Sequence, residues 1–181
     1  MQDLSLHILD VAENGVIAGA TLIEITIIEN QASDTLNITI RDNGRGMEPD
    51  FLAKVLDPFV TTRTTRKVGL GLSLFQQSAQ QAEGDLTVSS TPGVGTTVSV
   101  FMSHSHIDRK PMGNMMDTIV TLIQGNPNVD FAYCHRKDEQ EYILDTREIR
   151  PELEGVPVNH PEVIELIREN LIAGLAEIGA S

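Results

Sequence analysis

The chain of 181 residues holds one cysteine, no tryptophan and few aromatics, and its 13 Lys and Arg are outnumbered by 26 Asp and Glu. Each shortage excludes something. A lone thiol, Cys134, leaves no intramolecular disulfide and no multi-cysteine metal centre. A formal net charge of −13 argues against a nucleic-acid partner, whose phosphates require clustered Lys and Arg, and it disfavours anionic membrane surfaces. With 4% aromatic residues there is little on which bases could stack. No apolar run approaches the roughly 20 residues of a membrane span. Residues 1–20 lack the basic stretch and uninterrupted apolar stretch of a signal peptide. The expectation is a soluble cytoplasmic protein.

What is present is a 40% hydrophobic composition, enough for one good core and a second small one. Leu4, Ile8, Val11, Gly15 and Ala18 recur at helical spacing and predict an opening helix stopped near Gly19, with Asp10, Asn14 and Ile17 on another of its faces. Leu22–Glu29 and Thr35–Arg41 read as a hairpin of two strands. A turn-rich loop, Asp42–Met47, follows, then a short helix from Pro49 to Leu56. Asp57–Lys67 reads as a flexible loop. Leu70–Glu83 predicts a helix, and Leu86–Ser90 and Thr96–Met102 two more strands. The pattern is α+β, a two-layer α/β sandwich of a mixed sheet with helices on one side.

The composition changes around Ser103–Pro111, which places a boundary between residues 1–105 and a small α+β module at 106–181. In the latter, Met112–Ile123 reads as a helix, Val129–Arg136 and Glu141–Thr146 as a hairpin, and Pro161 as the first residue of a last helix. The stripe Ile164, Ile167, Leu171, Leu175, Ile178 of that helix serves either as core or as the surface of a homodimer or partner contact. His104 and His106 alternate at a strand end without a third metal ligand. Cys134 and His135 are adjacent in a strand and point to opposite faces, which argues against a Cys–His pair.

Four segments carry chemistry, and each suits a nucleotide. Asn14 offers a neutral amide oxygen to Mg²⁺ beside a triphosphate. Asp10, four residues earlier on the same helix face, can orient or deprotonate a water or hydroxyl near the γ-phosphate. In Asp42-Asn43-Gly44-Arg45-Gly46, the acceptor-only carboxylate of Asp42 matches the exocyclic amino group of adenine and repels the carbonyl of guanine. Gly44 and Gly46 allow positive φ and close approach of backbone to base. Val68-Gly69-Leu70-Gly71-Leu72 opens a helix whose free N–H groups suit phosphate. The hydroxyl-rich, basic run Thr61–Lys67 ahead of it suits closure over phosphates. In Gly93-Val94-Gly95-Thr96-Thr97, Thr96 or Thr97 can bond the Asp42 carboxylate or a water on the base.

These segments, in this order, resemble the GHKL superfamily, which includes gyrase, the Hsp90 chaperone, histidine kinases and MutL. Leu9–Gly15 with Ala18–Thr21 is similar to its N box, Asp42–Gly46 to its G1 box and Asp57-Pro58-Phe59 with Val60–Arg63 to the F box of histidine kinases. Gly69–Leu72 is similar to the G2 box and Gly93–Thr97 to the last glycine box. The resemblance covers roughly residues 3–103. Its F and G2 boxes point to the branch of histidine kinases and anti-sigma-factor kinases. It implies a Bergerat ATP-binding fold that takes ATP and Mg²⁺. Asn14 is then the metal ligand. The nucleotide contacts are Asn14, Asp42, Gly44, Gly46, Met47, Phe59, Arg63, Gly69, Leu70, Gly71, Leu72 and Thr97, with Asp10 and Lys67 as catalytic residues.

Departures from the pattern shape the expected activity. The N box opens close to Met1, and His7 lies on the N-box helix without the acid and proline that follow a phosphoacceptor. Autophosphorylation in the usual manner is therefore not expected. Asp10 stands where histidine kinases commonly have Asn, and a carboxylate suits activation of water or a serine hydroxyl. The leading expectation is transfer of the γ-phosphate to a separate partner protein in signalling. The alternatives are an ATP-hydrolysing conformational switch, as in MutL, or a nucleotide sensor without turnover.

Overall fold

The computed structural model describes residues 3–57, 59 and 66–180, with the backbone alone at 66–70. Helix α1 (Leu4–Ile17) starts because the Asp3 carboxylate caps it, accepting the Leu6 N–H and the Ser5 hydroxyl. It ends before Gly19, at φ +80°. Strands β1 (Leu22–Asn30) and β2 (Thr35–Asp42) form the antiparallel hairpin that the Ile/Thr alternation predicts. Ile23, Ile25 and Ile27 of β1, with Leu36, Ile38 and Ile40 of β2, turn to one buried face. A short α2 (Pro49–Leu52) leads towards α3 (Arg66–Gln81). Helix α3 begins earlier than the periodicity suggests, so Arg66 and Lys67 are helical and the glycines lie inside the first turns.

Strands β3 (Asp85–Thr91) and β4 (Gly95–Ser103) extend the sheet beside β2. After β4 the chain clips the start of α1, where the Leu4 and Ser5 N–H groups donate to the carbonyls of Pro111 and Met112. Helix α4 (Met115–Gly125) starts three residues later than expected because Asn114 caps it, accepting the Asp117 N–H. Strands β5 (Asp130–Lys137) and β6 (Gln140–Asp145) are the expected hairpin. Their placement has no counterpart in the sequence pattern. β5 lies parallel to β1, from Leu22 opposite Asp130 to Glu29 opposite Lys137.

The result is one six-stranded sheet in the order β3-β4-β2-β1-β5-β6, running across the composition change at 103–111. A one-turn α5 (Thr146–Ile149) and a 3₁₀ turn (Arg150–Leu153) precede α6 (Pro161–Glu177), whose first helical residue is the predicted Pro161. Helices α1, α3, α4 and α6 share a single hydrophobic core with the buried face of the sheet. Ile164, Ile167, Leu171, Leu175 and Ile178 are all part of it, which assigns the stripe of α6 to the core. Tyr142 of β6 packs its ring where Gly174 of α6 lacks a side chain, and its hydroxyl donates to Asn170 at 2.7 Å.

Candidate functional site

The polar residues of interest gather where β2 and β4 meet the end of α1. Asp42 closes β2, opposite Ile23 of β1 and Thr96 of β4. Strand alternation puts Asp42 and Thr96 on the helix-covered face with Ser90 of β3, the register partner of Thr96. Burial pushes the Asp42 carboxyl above its ordinary value, against the opposing N–H donors of Gly44 and Thr96. The Gly44 bond is 2.9 Å. Thr97 falls on the other side of the sheet, paired with Arg41 and Ser89, so Thr96 and not Thr97 stands at Asp42.

Glycines surround this carboxylate because side chains would fill its space. A Cβ on Gly15 would stand 2.8 Å from the Cβ of Asp42, and one on Gly44 2.9 Å from both the Asp42 carboxylate and the Ala18 carbonyl oxygen. Gly44 is thus selected by close approach rather than by positive φ. Gly46 does adopt φ +70° and rests on the Thr91 carbonyl.

The Asp42–Met47 loop is held at several points. Asn43, to which the motif pattern gives no role, accepts the Thr21 and Leu22 N–H groups at 2.8 and 3.0 Å and donates to the Thr21 hydroxyl at 2.9 Å. The Arg45 N–H donates to the Ala18 carbonyl, and the Gly93 N–H to the Arg45 carbonyl. The Met47 N–H donates to the Ser90 hydroxyl at 2.8 Å.

On α1, Asp10 and Asn14 are half-buried and one helical turn apart. The Asp10 carboxylate lies in the space a side chain at Gly71 would take, which brings α1 and the glycine-rich start of α3 together. The Nδ2 atom of Asn14 is buried with no protein hydrogen-bond partner. Leu72 is a core residue at 3% exposure, so its side chain is not part of the polar site. Phe59 stands 91% exposed, its N–H donating to the Asp57 carboxylate at 2.9 Å. Lys67, Gly69 and Leu70 are placed as backbone in the first turns of α3. Arg63 lies outside the described residues.

Other titratable residues lie elsewhere. His7 is buried at 1% exposure, stacked on Phe75 with ring centroids 4.8 Å apart, and neither ring nitrogen has a hydrogen-bond partner. Burial, and next the charge of Lys110, push its imidazole down to about 4. Glu29 binds His104 at 2.8 Å and His135 at 2.7 Å, and His135 in turn bonds the Tyr133 hydroxyl at 2.8 Å. Burial raises the Glu29 carboxyl, but the bonds to His135 and His104 outweigh it and hold the group down at about 2. His104 is therefore engaged with a carboxylate rather than exposed, and His106 approaches Glu83 at 4.0 Å. No group of three or more potential metal ligands occurs among the described residues, and none of their helices is long and apolar enough to cross a membrane.

A two-layer α/β sandwich with an Asp/Asn pair on its first helix and an Asp-Asn-Gly loop at its strand ends is a GHKL-type domain. Residues 2–106 match the family of histidine kinase-, DNA gyrase B- and HSP90-like ATPases, and the chain belongs to that family. Over 96 residues, 52% of this chain, it is 36% identical to the signal transduction histidine-protein kinase AtoS of Escherichia coli. Over 83 residues, 43% of this chain, it is 35% identical to the histidine protein kinase SaeS of Staphylococcus aureus. The matched segments make up 16% and 24% of those relatives. Among solved structures, the Aquifex aeolicus MutL ATPase domain complexed with ADP has the same fold, with a TM-score of 0.50 at 19% identity. That likeness covers 80% of this chain and 63% of the other.

Proposed function

We propose that this chain binds Mg·ATP and passes the γ-phosphoryl group to a side chain of a separate partner protein in signalling. The observation that carries the reading is Asp10: a carboxylate one turn before Asn14, on the same helix face and against Gly71. Asp42 accepts the adenine amino group, reached past Gly44 and Gly46, with the Met47 backbone closing the loop. Asn14 fits Mg²⁺ through its amide oxygen, and its buried Nδ2, which meets no protein group, is available to a phosphate oxygen. The cation, when bound, neutralises charge on the phosphates. Lys67 and Arg63, with the N-terminal end of α3, steady the phosphates. Asp10 takes the proton of the attacking hydroxyl as the acceptor–phosphorus bond forms and ADP leaves.

An ATP-hydrolysing conformational switch is the second reading, and the continuous sheet favours it. The 106–181 segment pairs with β1, one strand from Asp42, so movement at the nucleotide has a direct path to the C-terminal hairpin.

One experiment separates the readings. Full-length protein is incubated with Mg²⁺ and γ-labelled ATP, and free phosphate is followed alongside protein-bound label, with Asn14→Ala and Asp10→Asn as controls. Phosphate release lost in both variants supports the switch. Intact ATP binding without release counts against the switch and leaves transfer to a partner or a sensor without turnover, and absence of ATP binding overturns them all.

A further inference from the structure

Ser90 belongs to no motif, yet its hydroxyl joins three parts of the site. It accepts the Met47 N–H at 2.8 Å, donates to the Gly95 carbonyl at 3.0 Å and contacts the Thr96 hydroxyl at 2.8 Å. A serine hydroxyl has one proton and two lone pairs. With the proton on Gly95 and one lone pair on Met47, the remaining lone pair takes the proton of Thr96. Thr96 then has only lone pairs left to present. Beside it, the Asp42 carboxylate is acceptor-only when ionised. The row Ser90–Thr96–Asp42 across β3, β4 and β2 therefore ends in acceptors alone.

We propose that Ser90 is a positioning residue for base selection: by fixing the Thr96 proton and the Asp42–Met47 loop, it makes this edge read an amino group and reject a carbonyl. The inference rests on the reading of Asp42 as the acceptor for the base. The effect of Ser90 passes through Thr96 and through Met47. Removing the hydroxyl frees the Thr96 proton to meet a carbonyl, and it leaves the Met47 N–H without its acceptor.

The test compares affinities of the full chain for ATP and for inosine triphosphate, which carries a carbonyl in place of the amino group, by titration calorimetry. Ser90→Ala is expected to lower the ATP-to-inosine-triphosphate preference about tenfold, the size of one oriented hydrogen bond. Ser90→Thr, which restores the hydroxyl, is expected to keep the preference. A purely structural role would weaken both nucleotides alike and leave the ratio unchanged, and that outcome overturns the proposal. Asp42→Asn is run in parallel. If it abolishes the preference while Ser90→Ala does not, the role of Ser90 alone fails. If Asp42→Asn leaves the preference intact, the reading of the base site fails first. Ser90→Cys, similar in size but a weak hydrogen-bonding group, carries the same expectation as Ser90→Ala should the alanine variant melt too low to assay.

Discussion

The carboxylate of Asp10 on α1 occupies the volume that a side chain at Gly71 on α3 would need. The second glycine of the Gly-x-Gly segment is thereby explained by a contact within the protein as well as by access to phosphate. Gly71→Ala is expected to push Asp10 out of place. On the proposed role of Asp10, phosphoryl transfer or phosphate release falls by about 10²-fold or more, the usual contribution of a positioned base. ATP affinity is followed separately, because a side chain at position 71 also narrows access to phosphate. Rates and affinities measured on the same preparation check this, and a Gly71→Ala protein with undiminished turnover removes Asp10 from the mechanism.

His7 makes stability depend on pH. Its folded value of about 4 lies below the ordinary 6.5, so between those limits the unfolded chain holds more protons than the folded one. Stability is full above 6.5 and falls as pH drops towards 4, by about 3 kcal/mol in all. Glu29 acts in a lower window. Its folded value of about 2 against an ordinary 4.5 gives stability that is present above 4.5 and lost as pH falls towards 2. Urea unfolding at a series of pH values checks both. His7→Phe should flatten the upper limb only, and Glu29→Gln the lower limb only.

Much of this architecture is legible from local pattern. The buried Ile alternation of β1 and β2, the proline that opens α6 and the order of the glycine-marked segments are local signals, and each led to the element found. What escaped was set by tertiary pairing. That β5 lies along β1 follows from packing between segments about a hundred residues apart, which no spacing encodes. The choice between Thr96 and Thr97 was within reach, since Val98, Val100 and Met102 are the inward residues of β4 and the alternation carries back to Thr96. Asn43 carries no signal because Asn in a turn-rich segment ordinarily marks a turn, and Ser90 carries none because it lies in a strand outside every glycine-marked segment. Their partners lie on other elements. Phe59 and Leu72 are nucleotide contacts by resemblance alone, and their burial, one exposed and one in the core, has no signal in the box pattern.

The continuous core makes a prediction about the boundary at residues 105 and 106. Tyr142 and Gly174 join the last strand to the last helix, and a Cβ at 174 would run into the Tyr142 ring. Gly174→Ala is therefore expected to cost about 1–3 kcal/mol, the range for overfilling a packed site. How that cost is distributed is the informative part. Because β5 is hydrogen-bonded along β1 and α4 and α6 share the core of α1 and α3, the whole chain should unfold in one transition. Gly174→Ala should then lower the single midpoint seen by circular dichroism and leave the denaturant slope unchanged. Two transitions, of which only the first moves, would instead show that 106–181 unfolds as a unit of its own. A nucleotide signal would then have to cross between two cooperative bodies rather than travel through one sheet.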